Sequence, residues 1–136
     1  MEFIKWDDDL SVHIASIDQQ HEKLILMVNG FFDAAVVRKK KDEALGGLLD
    51  GLTAYTLQHF ATEEELFRKF SYPDADEHKA EHRALIEKVT GLKERFSNDR
   101  SILSVEIMNF LKGWILNHIK VIDAKYSGFL KEKGVR

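Results

Sequence analysis

The positions of histidine in this sequence point to chemistry. Five of the six histidines lie where a helical pattern of apolar residues would place another apolar side chain. In the first such pattern, His21 precedes Leu24, Ile25 and Val28 at helical spacing. Two carboxylates interrupt the patterns in the same way. The seven inward polar residues are His21, His59, Glu63, His78, His82, His118 and Asp123.

These buried polar side chains need partners. A buried polar group that is left unsatisfied costs roughly 1–3 kcal/mol, so the seven must bind one another or a metal ion. His59 precedes Glu63 by four residues, and His78 precedes His82 by four. On a helix this spacing places two Cβ atoms about 5–6 Å apart on one face, which suits two ligands of one ion. A single inward histidine is more often a hydrogen-bonded core residue, but five with two carboxylates favour a metal site.

The residue types limit the choice of metal without fixing it. Imidazole and carboxylate suit iron, zinc, copper or nickel, and the lack of cysteine excludes thiolate sites and iron–sulfur clusters. Seven ligands are too many for one tetrahedral zinc. His118 and Asp123 are separated by about 7.5 Å along a helix axis, which suits a carboxylate that bridges to a second ion. The sequence contains neither the H-E-x-x-H motif of zinc proteases nor the paired Glu-x-x-His motifs of ferritin-type di-iron enzymes.

Four amphipathic helices would position these side chains. Apolar residues at helical spacing predict helices over roughly 17–38, 41–70, 75–96 and 101–132, and Ser16 with Gln19 predicts a capping box at the first. Pro73, the only proline, lies in the clearest turn. We therefore predict an all-α fold, an antiparallel up-down-up-down four-helix bundle. Residues 1–15 lack helical periodicity and are expected to form an extended N-terminal arm.

Size and charge exclude several classes of protein. A length of 136 residues predicts a single domain, 1–136. The net charge of −3 offers nothing that would recruit nucleic acid or an anionic membrane. No apolar run reaches the roughly 18–20 residues of a membrane span, and the N-terminus lacks the layout of a secretion signal. We expect a cytoplasmic protein without membrane contact by this domain.

The order of the ligand-type residues resembles the hemerythrin family. All seven positions match in identity and order, and the likeness covers nearly the whole chain. The residues that carry it are His21, His59-x-x-x-Glu63, His78-x-x-x-His82 and His118-x-x-x-x-Asp123, with Trp6 and Ile17-Asp18-x-Gln20-His21. Among relatives the chain looks most like the bacterial domains. One expected context is the hemerythrin domain of a chemotaxis receptor, which would make the chain part of a larger signalling receptor.

This resemblance implies a non-haem di-iron centre that binds dioxygen reversibly. Its two iron ions would be bridged by Glu63 and Asp123 together with an oxo or hydroxo group. One iron would be held by His78, His82 and His118, and the other by His21 and His59. The second iron would have five ligands, and its open position would take dioxygen.

Apolar residues around that open position favour oxygen binding over catalysis. They would exclude water and supply no acid to protonate peroxide, so we expect an oxygen carrier or sensor and no enzyme. The expected oxygen pocket comprises Leu24, Phe60, Trp114, Ile115 and Ile119. The alternatives are a di-iron oxidase or peroxidase, which would turn over with a reductant and peroxide, and an iron-storage bundle.

The remaining polar residues are assigned by their place on each helix. Tyr126 lies one turn past Asp123, where it would either hydrogen-bond a ligand carboxylate or pack as an ordinary core tyrosine. His13 lies on the arm without a partner at ligand spacing and is expected to be structural or exposed. Glu64 and Glu65 lie off the inward face and are expected to be solvated.

Overall fold

Long helices account for most of the protein. The computed structural model describes residues 3–37, 42–98 and 104–135. The α-helices are α1 (Ala15–Phe32), α2 (Asp42–Phe70), α3 (Ala75–Asn98), α4 (Ser104–Asn117) and α5 (Ala124–Glu132). Two π-helical segments extend them: Asp33–Val37 follows α1, and His118–Asp123 joins α4 to α5. The described residues contain no strand.

These helices form the predicted all-α four-helix bundle. Helix α1 packs against α2 and α4, and α2 packs against α3. Helix α4, the π segment after it and α5 together form the fourth helix of the bundle. Residues 71–74 connect α2 to α3 in a tight turn, and so short a connection makes neighbouring helices antiparallel. The predicted helix ends at 38, 41 and 101 lie outside the described residues.

The fourth helix departs from the unbroken α-helix that the sequence predicted. Between His118 and Asp123 the backbone is π-helical, so its hydrogen bonds run from residue i to i+5. The wider turn brings residues five apart onto one side of the helix. Both His118 and Asp123 are buried as a result.

The N-terminal arm is tied to α1 by side-chain hydrogen bonds. Ile4 and Asn29 exchange two bonds of 2.8 Å, one from the Ile4 backbone N–H and one from Asn29 Nδ2 to the Ile4 carbonyl. The Val12 backbone N–H and the Ser11 hydroxyl both donate to the carboxylate of Asp18. The arm therefore lies against the bundle rather than free of it.

The predicted capping box at the start of α1 does not form. The helix begins at Ala15, and Ile14 before it makes no side-chain capping bond. Ser16 and Gln19, the predicted pair, are both exposed. The nearby Asp18 accepts bonds from the arm, so the polar side chain that organises this helix start bonds the arm and not the helix end.

Two apolar clusters fill the bundle and enclose a polar layer. The smaller cluster consists of Val12, Ile14, Ile17, Phe67, Tyr72, Tyr126 and Leu130. The larger cluster extends from the other side of the layer and includes Leu24, Phe60, Leu85, Ile115 and Ile119. Along the chain the inward histidines fall between members of the two clusters. None of the helices in the described part of the chain is long and apolar enough to cross a membrane.

Candidate metal centre

The seven predicted ligand side chains meet in the polar layer. Helix α1 supplies one of them, α2 and α3 supply two each, and the fourth helix supplies two at the ends of its π segment. None of the seven is more than 4% exposed. In order they are His21, His59, Glu63, His78, His82, His118 and Asp123.

Asp123 faces histidines on two sides. Its Oδ1 lies 3.0 Å from His78 Nε2 and 2.9 Å from His118 Nε2. Its Oδ2 lies 2.7 Å from His21 Nε2. Because each oxygen meets a different histidine group, the carboxylate has the arrangement of a bridge between two metal ions.

Glu63 lies between the same two groups. Its Oε1 lies 3.0 Å from His82 Nε2 and 3.4 Å from His59 Nε2. Its Oε2 accepts a hydrogen bond of 2.5 Å from the hydroxyl of Tyr126. Of the two alternatives for Tyr126, the structure therefore shows the hydrogen bond to a carboxylate, that of the predicted ligand Glu63.

Two overlapping sets of ligand atoms could each hold a metal ion. Within each set the atoms lie within 4.8 Å of one another. One set consists of His21, His59, Glu63, His118 and Asp123, and the other of Glu63, His78, His82 and His118. The sets share Glu63 and His118, so the two ions would be close neighbours.

Four of the unsatisfied atoms in this layer fit metal ions. His78 Nε2, His118 Nε2 and both oxygens of Asp123 are buried and make no hydrogen bond. Such groups destabilise a folded protein unless something binds them. Asp123 Oδ1 lies beside the two histidine nitrogens and Oδ2 faces the other histidine group, so cations held in this layer would satisfy these atoms. Imidazole and carboxylate are ligands suited to iron.

Two histidines are fixed in the tautomer that metal binding needs. Gln20 Nε2 donates to the Thr62 hydroxyl at 3.2 Å, so its Oε1 is the atom that faces His59 Nδ1 at 2.6 Å. A carboxylate oxygen of Glu64 lies 3.0 Å from His82 Nδ1. Since both partners accept, both Nδ1 atoms carry a proton, and the Nε2 atoms, which point into the layer, are the ones left to bind metal.

The expectation that Glu64 is simply solvated is wrong. Its side chain is 35% exposed, and it bonds His82 across the α2–α3 interface. Glu65 is more exposed, at 58%, and pairs with Arg68 on its own helix. Glu64 and Gln20 are site residues that the apolar pattern did not identify, because neither lies on the inward face.

Burial and mutual attraction set the charges of the layer. Burial opposes ionisation of Glu63, but the facing histidines, His59 above all, hold its pKa well below the ordinary value. Burial lowers the pKa of His59 to about 4. For His118, burial again favours the neutral form, but Asp123 and Glu63 outweigh it and raise the pKa to about 10.

Aromatic rings cover two of the ligand histidines. Phe60 stacks on His82 with ring centroids 3.7 Å apart and planes within 6°. Trp114 stacks on His118 at 4.5 Å and 16°. These contacts fix the orientation of both imidazoles and keep water from their faces.

Three of the five expected oxygen-pocket residues line one apolar cavity. The cavity has a volume of about 20 Å³ and is lined by Leu24, Trp114 and Ile115 together with residues of α2 and α3. That is enough for one water-sized molecule. Phe60 and Ile119 are buried but do not line it. His13 is exposed and belongs to neither ligand set.

Comparison with known proteins agrees with the geometry. A family model described as the hemerythrin HHE cation binding domain matches residues 12–130. The chain is 36% identical over 131 residues to a bacteriohemerythrin of Stenotrophomonas maltophilia, covering 96% of this chain and 84% of the relative. It is 34% identical over 125 residues to a hemerythrin-like protein of Naegleria gruberi, covering 92% of each.

Solved structures give the same result. A wild-type hemerythrin crystal structure superposes with a TM-score of 0.85 at 28% identity, covering 93% of this chain and 96% of that one. A mutant hemerythrin gives a TM-score of 0.86 at 29% identity, covering 94% and 97%. The resemblance read from the ligand pattern is thereby confirmed for the family and the fold.

The ligand assignment makes a prediction about single histidines. His82→Ala should lower the iron content, because it removes one imidazole and leaves its iron one ligand short. His13→Ala should keep the full iron content of the parent, since His13 lies outside the layer. Elemental analysis of the purified variants measures both. An unchanged iron content in His82→Ala would contradict the assignment.

Proposed function

The chain belongs to the hemerythrin family, and on that premise we propose that it binds dioxygen reversibly through the seven side chains of the polar layer. Its cofactor is a di-iron centre, and it is an oxygen-binding protein rather than an enzyme, as its relatives are.

Each iron takes one group of histidines. His78, His82 and His118 would hold one, and His21 and His59 the other, with Glu63 and Asp123 bridging. The two oxygens of Asp123, which face His21 on one side and the pair His78 and His118 on the other, support this division. When bound, the two irons supply the electrons that bind dioxygen reversibly.

The main support for reversible binding is that no group lining the apolar cavity can readily donate a proton. Two hydroxyls line it, those of Thr53 and Thr56, and each donates at 2.8 Å to a backbone carbonyl one turn earlier on its own helix. Tyr126, the nearest phenol to the ligands, is committed to Glu63. Neither carboxylic acid nor imidazolium lines this cavity. Bound oxygen would therefore meet no acid that could protonate it and promote O–O cleavage.

Reversible binding has a direct spectroscopic test. The anaerobically reduced protein should gain a visible absorption band when oxygen is admitted and lose it when oxygen is removed. Repeated cycles should return the same amplitude. Immediate and irreversible conversion to an oxidised form would contradict reversible carriage and favour an oxidase. No spectral change would indicate that the ligands hold another metal or none.

The shielding role of the cavity wall is tested by Ile115→Ala. Truncation opens the cavity to water, so we expect the oxygenated form to decay to the oxidised form several-fold faster than in the parent. Ile14→Ala is the matched control, because Ile14 is equally buried but belongs to the other apolar cluster. Decay followed by visible absorption measures both. Equal acceleration in the two variants would mean that general destabilisation, and not lost shielding, exposes the site.

Sensing is a second candidate use, favoured by the contacts of Val12 on the arm. Its N–H donates to Asp18, one turn before His21, and its carbonyl accepts from the Ser127 hydroxyl at 2.7 Å. Ser127 follows Tyr126, which bonds Glu63. A change at the irons therefore has a short route to the arm, as a domain of a larger signalling receptor would need.

Limited proteolysis tests this use. If the arm reports the state of the irons, the reduced and oxygenated forms should differ in cleavage within residues 1–15, because the two bonds to Val12 respond to ligand movement. Cleavage in α3 serves as the internal reference. Identical patterns in both forms would leave oxygen carriage as the better proposal.

A further inference from the structure

The Nδ1 atoms of His59 and His82 have hydrogen-bond partners of different charge. His59 Nδ1 donates to the neutral amide oxygen of Gln20, and His82 Nδ1 donates to the carboxylate of Glu64. By the division proposed above, His59 belongs to one iron and His82 to the other. One iron would therefore have a histidine that is hydrogen-bonded to a carboxylate, and the other a histidine that is hydrogen-bonded to a neutral amide.

Glu64 is placed to act on His82 alone. In the described part of the chain, His82 is its one hydrogen-bond or ion-pair partner. Phe60 stacks on the face of the same imidazole, so the ring cannot turn away from the carboxylate. A surface groove lined by residues of α2 and α3, including Glu64 and Arg83, reaches His82. The bond therefore connects a buried ligand to the protein surface.

A carboxylate behind an imidazole changes how the other nitrogen binds metal. A charge-assisted hydrogen bond is roughly twice as strong as a neutral one. It draws the Nδ1 proton away from the ring, gives the imidazole more imidazolate character and makes Nε2 a stronger donor. A stronger anionic donor stabilises ferric over ferrous iron. An amide acceptor such as Gln20 fixes the ring in the same tautomer with much less of this effect.

We propose that Glu64 is a positioning residue that holds His82 for its iron and lowers the reduction potential of that iron, so that the two irons are electronically unequal. The proposal rests on the proposed di-iron assignment. Gln20 is the neutral counterpart at His59. Through its bond to His82, the partly exposed Glu64 would thus influence the reduction potential of the buried centre.

The test compares two variants with the same change in net charge. Glu64→Gln keeps an acceptor but removes its charge, whereas Glu65→Gln removes a charge from the adjacent exposed position. In spectroelectrochemical titration we expect Glu64→Gln to raise the potential, with about a tenfold change in the ferrous-to-ferric ratio, or about 59 mV for one electron. Glu65→Gln should shift it much less. Equal shifts would overturn the proposal, because charge alone would then explain them.

If Glu64→Gln loses its iron, a second pair of variants can still test the proposal by making the opposite change at the other iron. Gln20→Glu places a carboxylate behind His59 and should lower the potential, whereas Gln19→Glu adds the same charge at an exposed neighbour and should not. An iron-loaded Gln20→Glu protein with an unchanged potential would overturn the proposal.

Iron affinity gives a third readout of positioning. Glu64→Ala should bind iron about 10–100-fold more weakly, and Glu64→Gln should recover most of that loss because the amide still accepts. Parental affinity in Glu64→Ala would count against the positioning role. These measurements require bound iron but not reversible oxygenation. The proposal for Glu64 can therefore fail while the proposal of reversible oxygen binding holds, and the reverse is also possible.

Discussion

The structure depends on the burial of seven ionisable side chains in one layer of a small bundle. Removing a charge from water costs several kcal/mol even after the protein relaxes, and this layer is at most 4% exposed. The carboxylates stay ionised because the histidines surround them, which lowers the pKa of Glu63 and of Asp123 against the effect of burial. Hydrogen bonds do not fully offset the cost of burying these charges, since neither oxygen of Asp123 makes one. The two apolar clusters enclose the layer from both ends, and bound metal ions would supply the missing attraction.

The π segment shows how this layer constrains the backbone. On an α-helix, two residues five apart point in different directions, and either His118 or Asp123 would leave the interior. A π turn hydrogen-bonds less favourably and is rare, yet here it begins and ends at the two ligands. It brings Asp123 Oδ1 to 2.9 Å from His118 Nε2 while Oδ2 still reaches His21 on α1. The π segment therefore lets both side chains face the same buried layer, as a carboxylate that bridges two ions would need.

The sequence predicted the bundle and the seven inward residues for one physical reason. A polar residue on an apolar helical stripe is conspicuous, since the stripe itself fixes which positions are buried. The same reasoning misplaced Glu64, which stands beside Glu63 but off the stripe. Its partner His82 lies on α3, and periodicity within α2 carries no information about a neighbouring helix. Gln20 was missed in the same way, as a residue noted for the family pattern and not for its bond to His59. Contacts across helices, like the bonds between Asp18 and the arm, depend on rotation and spacing that a single helix does not encode.

His59 and His82 each have one nitrogen that faces the polar layer and one that faces outward. The Nε2 atoms of these two histidines point into the layer, towards the buried carboxylates. Their Nδ1 atoms point outward, to Gln20 and Glu64, which are only partly buried. Glu and Gln have nearly the same shape, so exchanging them alters the charge behind a ligand while the packing is kept. If the proposal for Glu64 holds, such an exchange would adjust the redox balance of the centre while the metal ligands stay the same.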